Sequence, residues 1–217
     1  MPTLLCDVGG VLIENPWKRA SQEVGEQLGR DPGEVFRLLS ALSKRLDMGE
    51  LTLAGVHRTL AGALGGDYPF ARFEETLDAA LRKVQPVWEA VRALGRRGDW
   101  EVMALSNMSW EVWDSLQRKF GISSLFGSAV LSFEHGVVKP DPAIYRLALG
   151  KARSPPCECT FVDDVPENIE AAGPLGIRTY LAEGPSETAR FIMSLGDRRY
   201  TPARAGASWP ESERGAG

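Results

Sequence analysis

Residues 3–10 read Thr-Leu-Leu-Cys-Asp-Val-Gly-Gly, an apolar run that stops at a carboxylate and two glycines. A short apolar run closed by turn residues is typical of a buried strand in a parallel sheet. Ligands of open α/β sheets bind beyond the carboxyl ends of the strands, and Asp7 lies at such an end. An aspartate at a strand end is also a common turn former or helix cap, so this stretch alone leaves its role open.

A second strand that ends in carboxylates lies far downstream, where residues 161–164 read Phe-Val-Asp-Asp. Residues 165–172 then predict a helix with a proline in its first turn. If the two strands are neighbours, Asp163 and Asp164 converge on Asp7. Because close carboxylates repel one another, a hard cation between them is favoured, and magnesium suits a site with few protein oxygens. A pair of aspartates that only caps the helix is the simpler alternative.

Two further segments place polar side chains at predicted element ends. Residues 101–107 predict a strand that ends in Ser106 and Asn107, and Ser109 is expected to cap the next helix. Ser106 and the backbone N–H groups at this helix start suit a phosphate, although an ordinary Ser-Asn turn has the same sequence.

Residues 136–142 read Gly-Val-Val-Lys-Pro-Asp-Pro. They predict that Lys139 lies between a short strand and a proline-flanked turn, which suits a fixed ammonium aimed into a site. A lone lysine is more often a solvated surface charge.

These four segments, taken in order over roughly residues 3–185, resemble the four motifs of the haloacid dehalogenase superfamily. The nearest subgroup consists of phosphatases similar to the amino-terminal domain of soluble epoxide hydrolase and to bacterial glucose-1-phosphate phosphatases. The resemblance implies an α/β fold with a Rossmann-like parallel sheet flanked by helices, and a small all-helical cap domain. It also implies a magnesium-dependent phosphatase.

The resemblance implies a role for each matching residue. Asp7 is the expected nucleophile, which forms an aspartyl-phosphate that water hydrolyses. Ser106, Asn107 and Lys139 are expected to hold the transferring phosphoryl group and to neutralise its charge.

The same resemblance implies a set of Mg²⁺ ligands. These are the Asp7 carboxylate, the Gly9 backbone carbonyl and Asp164, with Asp163 acting through a water.

Gly9 departs from the pattern of the superfamily, because most of its phosphatases carry a second Asp at this position as general acid and base. Such assistance is worth about a hundredfold to ten-thousandfold, so its absence favours leaving groups that need little protonation. Glu14 and His57 are possible donors from elsewhere. A surface glutamate and a structural helix histidine are the simpler interpretations of these two residues.

The chain divides into a predicted core domain over residues 1–15 and 86–200, a helical cap over 16–85, and a disordered tail over 201–217. Within the cap, apolar spacing of three and four residues predicts helices that start near residues 31, 52 and 69. Three side chains are candidate substrate contacts of the cap: Trp17, Arg45 and His57.

The composition of the chain argues against some classes of binding partner and indicates a cellular compartment. A chain of 217 residues can bury one core and a small accessory domain, and its net charge of −4 argues against nucleic acid and membrane surfaces as partners. Three cysteines without a metal-binding pattern predict a reducing cytoplasm. We expect a small phosphorylated metabolite as the partner, and a monomer or homodimer.

Two other functions stay open. A 2-haloacid dehalogenase also uses an aspartate nucleophile and also lacks the second carboxylate, but it has no need for clustered carboxylates that bind magnesium. A non-catalytic member that binds phosphate or a partner protein is compatible with Gly9, but the other motif residues are all retained.

Overall fold

The computed structural model describes residues 1–65 and 67–197, which form one parallel five-stranded sheet and ten α-helices. The strands are β1 Thr3–Cys6, β2 Glu101–Ser106, β3 Ser128–Leu131, β4 Cys159–Asp163 and β5 Arg178–Leu181. The helices are α1 Pro16–Leu28, α2 Pro32–Asp47, α3 Leu53–Leu64, α4 Phe70–Ala80, α5 Gln85–Arg96, α6 Trp110–Phe120, α7 Ser132–His135, α8 Pro142–Lys151, α9 Pro166–Ala172 and α10 Pro185–Leu195.

The sheet has the order β3-β2-β1-β4-β5. Every residue of β1, β2 and β4 is buried, which is why these strands are almost continuously apolar in sequence. β1 pairs in register with both neighbours, so that Cys6 lies opposite Ala104 of β2 and Val162 of β4. The predicted α/β fold is confirmed, and the carboxyl ends of the three central strands meet at one point.

Two helical layers cover the sheet, because successive strand residues point to opposite faces. Leu4 and Cys6 pack with apolar residues of α5 and α10 on one face. Leu5 packs on the other face with residues of α8, among them Ile144 and Tyr145.

Helices α1–α4 lie between β1 and β2 in the chain and share an apolar cluster of their own, which includes Val35, Leu39 and Phe73. Asp31 and Thr52 accept hydrogen bonds from the backbone of the first turns of α2 and α3, so the predicted starts of these helices are confirmed. α4 begins directly after Pro69, also as predicted. The separate cluster supports a cap made of these helices, and the exact domain bounds stay a prediction.

The strand predicted before Lys139 is wrong. Residues 137 and 138 have no strand partner, because Gly136 ends α7 with a positive φ of 63° and the Val138 carbonyl accepts the Asp141 N–H in a turn, at 2.9 Å. The strand of this region is β3, which is hydrogen-bonded to β2.

The predicted disordered tail lies outside the described residues. Within residues 1–65 and 67–197, no helix is both long and apolar enough to cross a bilayer.

Candidate active site

A buried lysine joins two strand-end carboxylates. Lys139 Nζ lies 2.9 Å from Asp7 Oδ1 and 2.6 Å from Asp163 Oδ2, and the three side chains are 1%, 8% and 0% exposed. The register of β1 and β4 puts the two carboxylates side by side, and the turn before α8 brings the ammonium between them. Each of these charges would be costly to bury alone, so the three groups depend on one another.

Asp163 is held by more than the lysine. Its Oδ1 accepts the Val165 N–H at 2.8 Å, and Asn168 Nδ2 lies 3.0 Å and 3.1 Å from its two oxygens. Both Asp163 oxygens are therefore engaged by the protein. Asn168 was not predicted as a site residue, although it faces Asp163 from the first turns of α9.

Asn107 fixes the Lys139 backbone rather than its ammonium. The Asn107 amide donates to the Lys139 carbonyl at 3.0 Å, and its oxygen accepts the Lys139 N–H at 2.8 Å. Ser106, the last residue of β2, is fully buried and favours the ionised form of the Asp7 carboxylate. The end of β2 and the loop after it thus orient the lysine backbone and favour the charge of the aspartate.

Three carboxylates cluster at this edge of the sheet. Asp7, Asp163 and Asp164 each offer an oxygen within 4.8 Å of the others, and Asp164 is exposed. Three negative charges against the single ammonium of Lys139 leave an excess of two. An excess of two negative charges on hard oxygen ligands fits a divalent cation such as Mg²⁺.

Gly10 is needed for the approach of Asp164. It has a φ of 82°, and a Cβ at this position would overlap the Asp164 carboxylate. Gly9, by contrast, has no positive φ, and a Cβ added there meets nothing within 4 Å. The backbone therefore requires glycine at position 10 and not at position 9.

Burial and the charge of Asp163 raise the pKa values of Asp7 and Asp164. Burial raises the pKa of Asp7 to about 7; the Asp163 charge adds to this, while Lys139 and the Ser106 hydrogen bond oppose it. Burial and then Asp163 raise the pKa of Asp164 as well. Burial opposes the charge of Lys139, but Asp7 and Asp163 outweigh burial and raise its pKa. A cation bound beside these carboxylates would favour their ionised forms.

Asp7 and Asp164 open into a cavity of about 280 Å³, which Gly9, Lys139 and other core residues share with the cap helices. A larger hollow of about 590 Å³ beside Trp100 lies at the amino end of β2 and has none of the clustered carboxylates. Four residues of α1 and α2 line the smaller cavity: Pro16, Trp17, Ser43 and Asp47.

Of the three predicted cap contacts, Trp17 lines the cavity and the other two do not. Arg45 pairs with Glu50 at 3.5 Å on the surface, and His57 packs against aromatic rings inside the cap. The possible proton donor Glu14 is exposed and lies 3.7 Å from Arg19. Neither Glu14 nor His57 reaches the cavity.

Asp47 is the functional candidate that sequence reasoning missed. Burial raises its pKa to about 7, with Asp7 raising it further and Lys139 lowering it. A signal was present in the sequence, since an acidic side chain in the last turn of a helix opposes the helix dipole.

The chain is similar to known proteins in sequence and in fold. The family model for haloacid dehalogenase-like hydrolases matches residues 1–176, so the chain belongs to this family, as the motifs predicted. A chloroplast flavin mononucleotide hydrolase of Arabidopsis thaliana is 26% identical over 61% of this chain and 53% of its own length. Mouse bifunctional epoxide hydrolase 2 is 28% identical over 55% of this chain and 22% of its own length. The chain thus spans about half or less of these two relatives.

A phosphatase of Mycobacterium tuberculosis is 27% identical across 88% of this chain and 93% of its own length. Among solved structures, an enzyme of the same family from Bacteroides thetaiotaomicron, crystallised with magnesium and inorganic phosphate, superposes with a TM-score of 0.65. It is 21% identical over 99% of this chain and 100% of its own, a level that shows the shared fold.

Replacement of Lys139 by Met should destabilise the protein, because Asp7 and Asp163 lose their counter-charge. The expected loss is about 3–5 kcal/mol at neutral pH, the scale for removing one partner of a buried pair. Without the ammonium, the folded-state pKa of Asp7, which burial already raises, moves further above its unfolded value. The folded variant therefore binds more protons, and its deficit relative to wild type should shrink as pH falls.

Urea denaturation of both proteins at pH 5 and pH 8 in a metal chelator checks this expectation. Lys119→Met, which breaks an exposed pair with Asp78, is the control and should cost less than about 1 kcal/mol. A deficit for Lys139→Met that is equal at both pH values would contradict the proposed charge coupling.

Proposed function

We propose that this chain is a magnesium-dependent phosphatase that hydrolyses a small phosphorylated metabolite through an aspartyl-phosphate on Asp7. The observation that carries this proposal is the excess of carboxylate charge: Asp7, Asp163 and Asp164 face one buried ammonium. The plant and mycobacterial relatives, both named for hydrolysis or phosphatase activity, support the same reaction class.

Asp7, the Gly9 carbonyl and Asp164 would hold the Mg²⁺ ion. Asp163 would stay behind them, because both of its oxygens are engaged by Lys139, Asn168 and a backbone N–H. When bound, the ion supplies positive charge to the phosphoryl oxygens and to the nucleophile.

The chain's own residues would carry the reaction in two steps. An Asp7 carboxylate oxygen forms a bond to phosphorus as the bond from phosphorus to the leaving oxygen breaks. Water then attacks phosphorus, the bond to Asp7 breaks, and inorganic phosphate leaves. Lys139 and Ser106 flank Asp7 and are suited to neutralise and orient the phosphoryl oxygens, which is most of what phosphoryl transfer requires.

The proposed partner is a metabolite small enough for a cavity of about 280 Å³ beneath the cap. All three cysteines, Cys6, Cys157 and Cys159, are free, which supports the proposed reducing cytoplasm. A monomer or homodimer stays the expected state.

A 2-haloacid dehalogenase is the second candidate, and Gly9 favours it because displacement of halide needs no proton for the leaving group. The excess carboxylate charge disfavours it, since no metal is needed to displace a halide. Both reactions require Asp7, so the two candidate functions are distinguished by their substrate and by whether they require a metal ion.

Asp7→Asn should abolish hydrolysis of p-nitrophenyl phosphate and of a panel of phosphorylated metabolites, because the amide cannot serve as the nucleophile. We expect a fall of roughly a thousandfold or more in kcat, on the scale of losing a nucleophile. Asp114→Asn, on the surface beside Arg118, is the matched control and should retain wild-type turnover. Halide release from 2-haloacids by the wild-type protein, without phosphate release from any phosphate ester, would replace the phosphatase proposal with the second candidate.

Asp164→Asn should raise the Mg²⁺ concentration for half-maximal rate, because it removes one charge from the exposed side of the cluster. A rise of roughly tenfold or more is expected, equivalent to about 1.4 kcal/mol of binding free energy. The measurement is initial rate against Mg²⁺ concentration for both proteins, with excess chelator as the blank. Full turnover in chelator would show that the carboxylate cluster needs no metal.

A further inference from the structure

Cleavage of an alkyl phosphate leaves an alkoxide, which needs a proton as the bond breaks. Four titratable side chains are among those that line the cavity: Asp7, Asp47, Lys139 and Asp164. Asp7 is committed as nucleophile, and Asp164 is an expected metal ligand. Lys139 donates to two carboxylates that hold its proton in place. Asp47 is the remaining titratable side chain of the cavity, and it has no assigned role.

The loop that follows β1 offers no donor beside Asp7. Gly9 lines the cavity, and the space where its side chain would lie holds no atom within 4 Å. The other titratable side chain of the cavity without an assigned role, Asp47, belongs to the side that the cap helices form.

Asp47 is fixed in place on that side. It is the last residue of α2, and its backbone carbonyl accepts the Ser132 hydroxyl at 2.5 Å. The same hydroxyl oxygen accepts the Met108 N–H at 2.9 Å, directly after the Ser106-Asn107 pair. One core serine thus connects the Asp47 backbone to the loop that orients Asp7 and Lys139.

The charges around Asp47 favour its protonated form. Asp7 and Asp164 share its cavity, against the single ammonium of Lys139, which Asp7 already engages. The other charged groups of α2 and α7 near it are either paired with other residues or exposed to solvent. Arg45 of its own helix lies 3.5 Å from Glu50. On α7, which packs against α2, His135 lies 3.9 Å from Glu134, and Lys44 on α2 is exposed.

We propose that Asp47 is the general acid of this site and delivers a proton from the cap to the leaving oxygen. The proposal rests on the phosphatase function proposed above. As the bond from phosphorus to the leaving oxygen breaks, the Asp47 proton moves to that oxygen and an alcohol departs. Asp47, now a carboxylate, takes a proton from the water that attacks the aspartyl-phosphate, which restores the acid.

The acidity of Asp47 fits this role. Its pKa of about 7, raised chiefly by burial, leaves a substantial protonated fraction at neutral pH. An acid whose pKa lies near the working pH is the most effective proton donor, because it is both populated and able to give up its proton.

The test is a series of phosphate esters with leaving groups from p-nitrophenol to ethanol, measured for wild type and Asp47→Asn. A phenolate departs without help, so p-nitrophenyl phosphate turnover should fall by less than about tenfold. Ethyl phosphate turnover should fall by about 100- to 10,000-fold, the usual worth of general acid catalysis. Glu50→Gln, in the exposed segment after α2, is the control and should change neither rate.

Turnover of p-nitrophenyl phosphate also reports that the variant is folded, and Asp47→Ser serves as a second variant if Asp47→Asn is unstable. An equal fall for all esters, or no fall at all, would overturn the role of Asp47 while leaving the phosphatase function intact. No hydrolysis of any ester by wild type would overturn the phosphatase function instead.

The Gly9→Asp substitution provides a second test of the role of Asp47. Because the space at Gly9 is open and its φ is ordinary, a carboxyl group introduced there can replace the lost donor. The double variant Asp47→Asn with Gly9→Asp should recover at least tenfold of the ethyl phosphate rate. A double variant that hydrolyses p-nitrophenyl phosphate but stays as slow as Asp47→Asn on ethyl phosphate would contradict the proposal.

Discussion

The ammonium of Lys139, buried between Asp7 and Asp163 at 2.9 Å and 2.6 Å, is the interaction on which the rest of this site depends. A parallel sheet brings the carboxyl ends of its central strands together, and two of those ends carry aspartate. Buried carboxylates at such a separation repel one another and resist ionisation. The lysine neutralises one charge and leaves an excess on the cavity side, where Asp164 adds another. The fold thus creates a need for positive charge at one defined place.

The components around the lysine each fix one part of this arrangement. Asn107 holds the backbone of Lys139, Asn168 holds Asp163, and Gly10 makes room for Asp164. Asn107 and Gly10 belong to loops that follow β2 and β1, and Asn168 lies in the first turn of α9, shortly after β4. The reactive side chains are therefore concentrated at the carboxyl end of the sheet, while the three central strands behind it are buried throughout and almost continuously apolar.

The cap provides what this edge of the sheet lacks. The core presents carboxylates, an ammonium and a hydroxyl, but position 9 has no side chain. Asp47 reaches the same cavity from α2, and the Ser132 hydrogen bond ties its backbone to the core. A proton donor carried by the cap makes turnover depend on the docking of α2 onto the core, because the acid and the nucleophile belong to different parts of the chain.

Sequence alone was sufficient to place the residues that lie at the ends of buried strands. Asp7 and Asp163 could be placed because their strands are buried on both faces and read as apolar runs. The edge strand β3 was missed because it is only four residues long and half of it is partly exposed. Two valines nearby, Val137 and Val138, have the sequence of a strand but no strand partner, and the Val138 carbonyl accepts a turn hydrogen bond instead.

The side chains that the sequence did not reveal act across the fold. Asn168 matters because α9 turns it back onto Asp163, and Asp47 matters because the cap lies over the sheet edge. Neither the contact of Asn168 with Asp163 nor the position of Asp47 over the sheet edge can be recognised from a fixed spacing along the sequence. His57 is the reverse case: this chemically suitable side chain is packed against Phe70 and Phe73 inside the cap, as its simpler interpretation predicted.

A crystal structure of the protein grown with Mg²⁺ and beryllofluoride, a mimic of a phosphoryl group on a carboxylate, tests the central claim most directly. The charge balance around Lys139 predicts beryllium bonded to an Asp7 oxygen, with Mg²⁺ beside it on Asp7 and Asp164. Asp163 should still bridge Lys139 and Asn168. Density for beryllofluoride away from Asp7, or Mg²⁺ bound without Asp7 and Asp164, would contradict it.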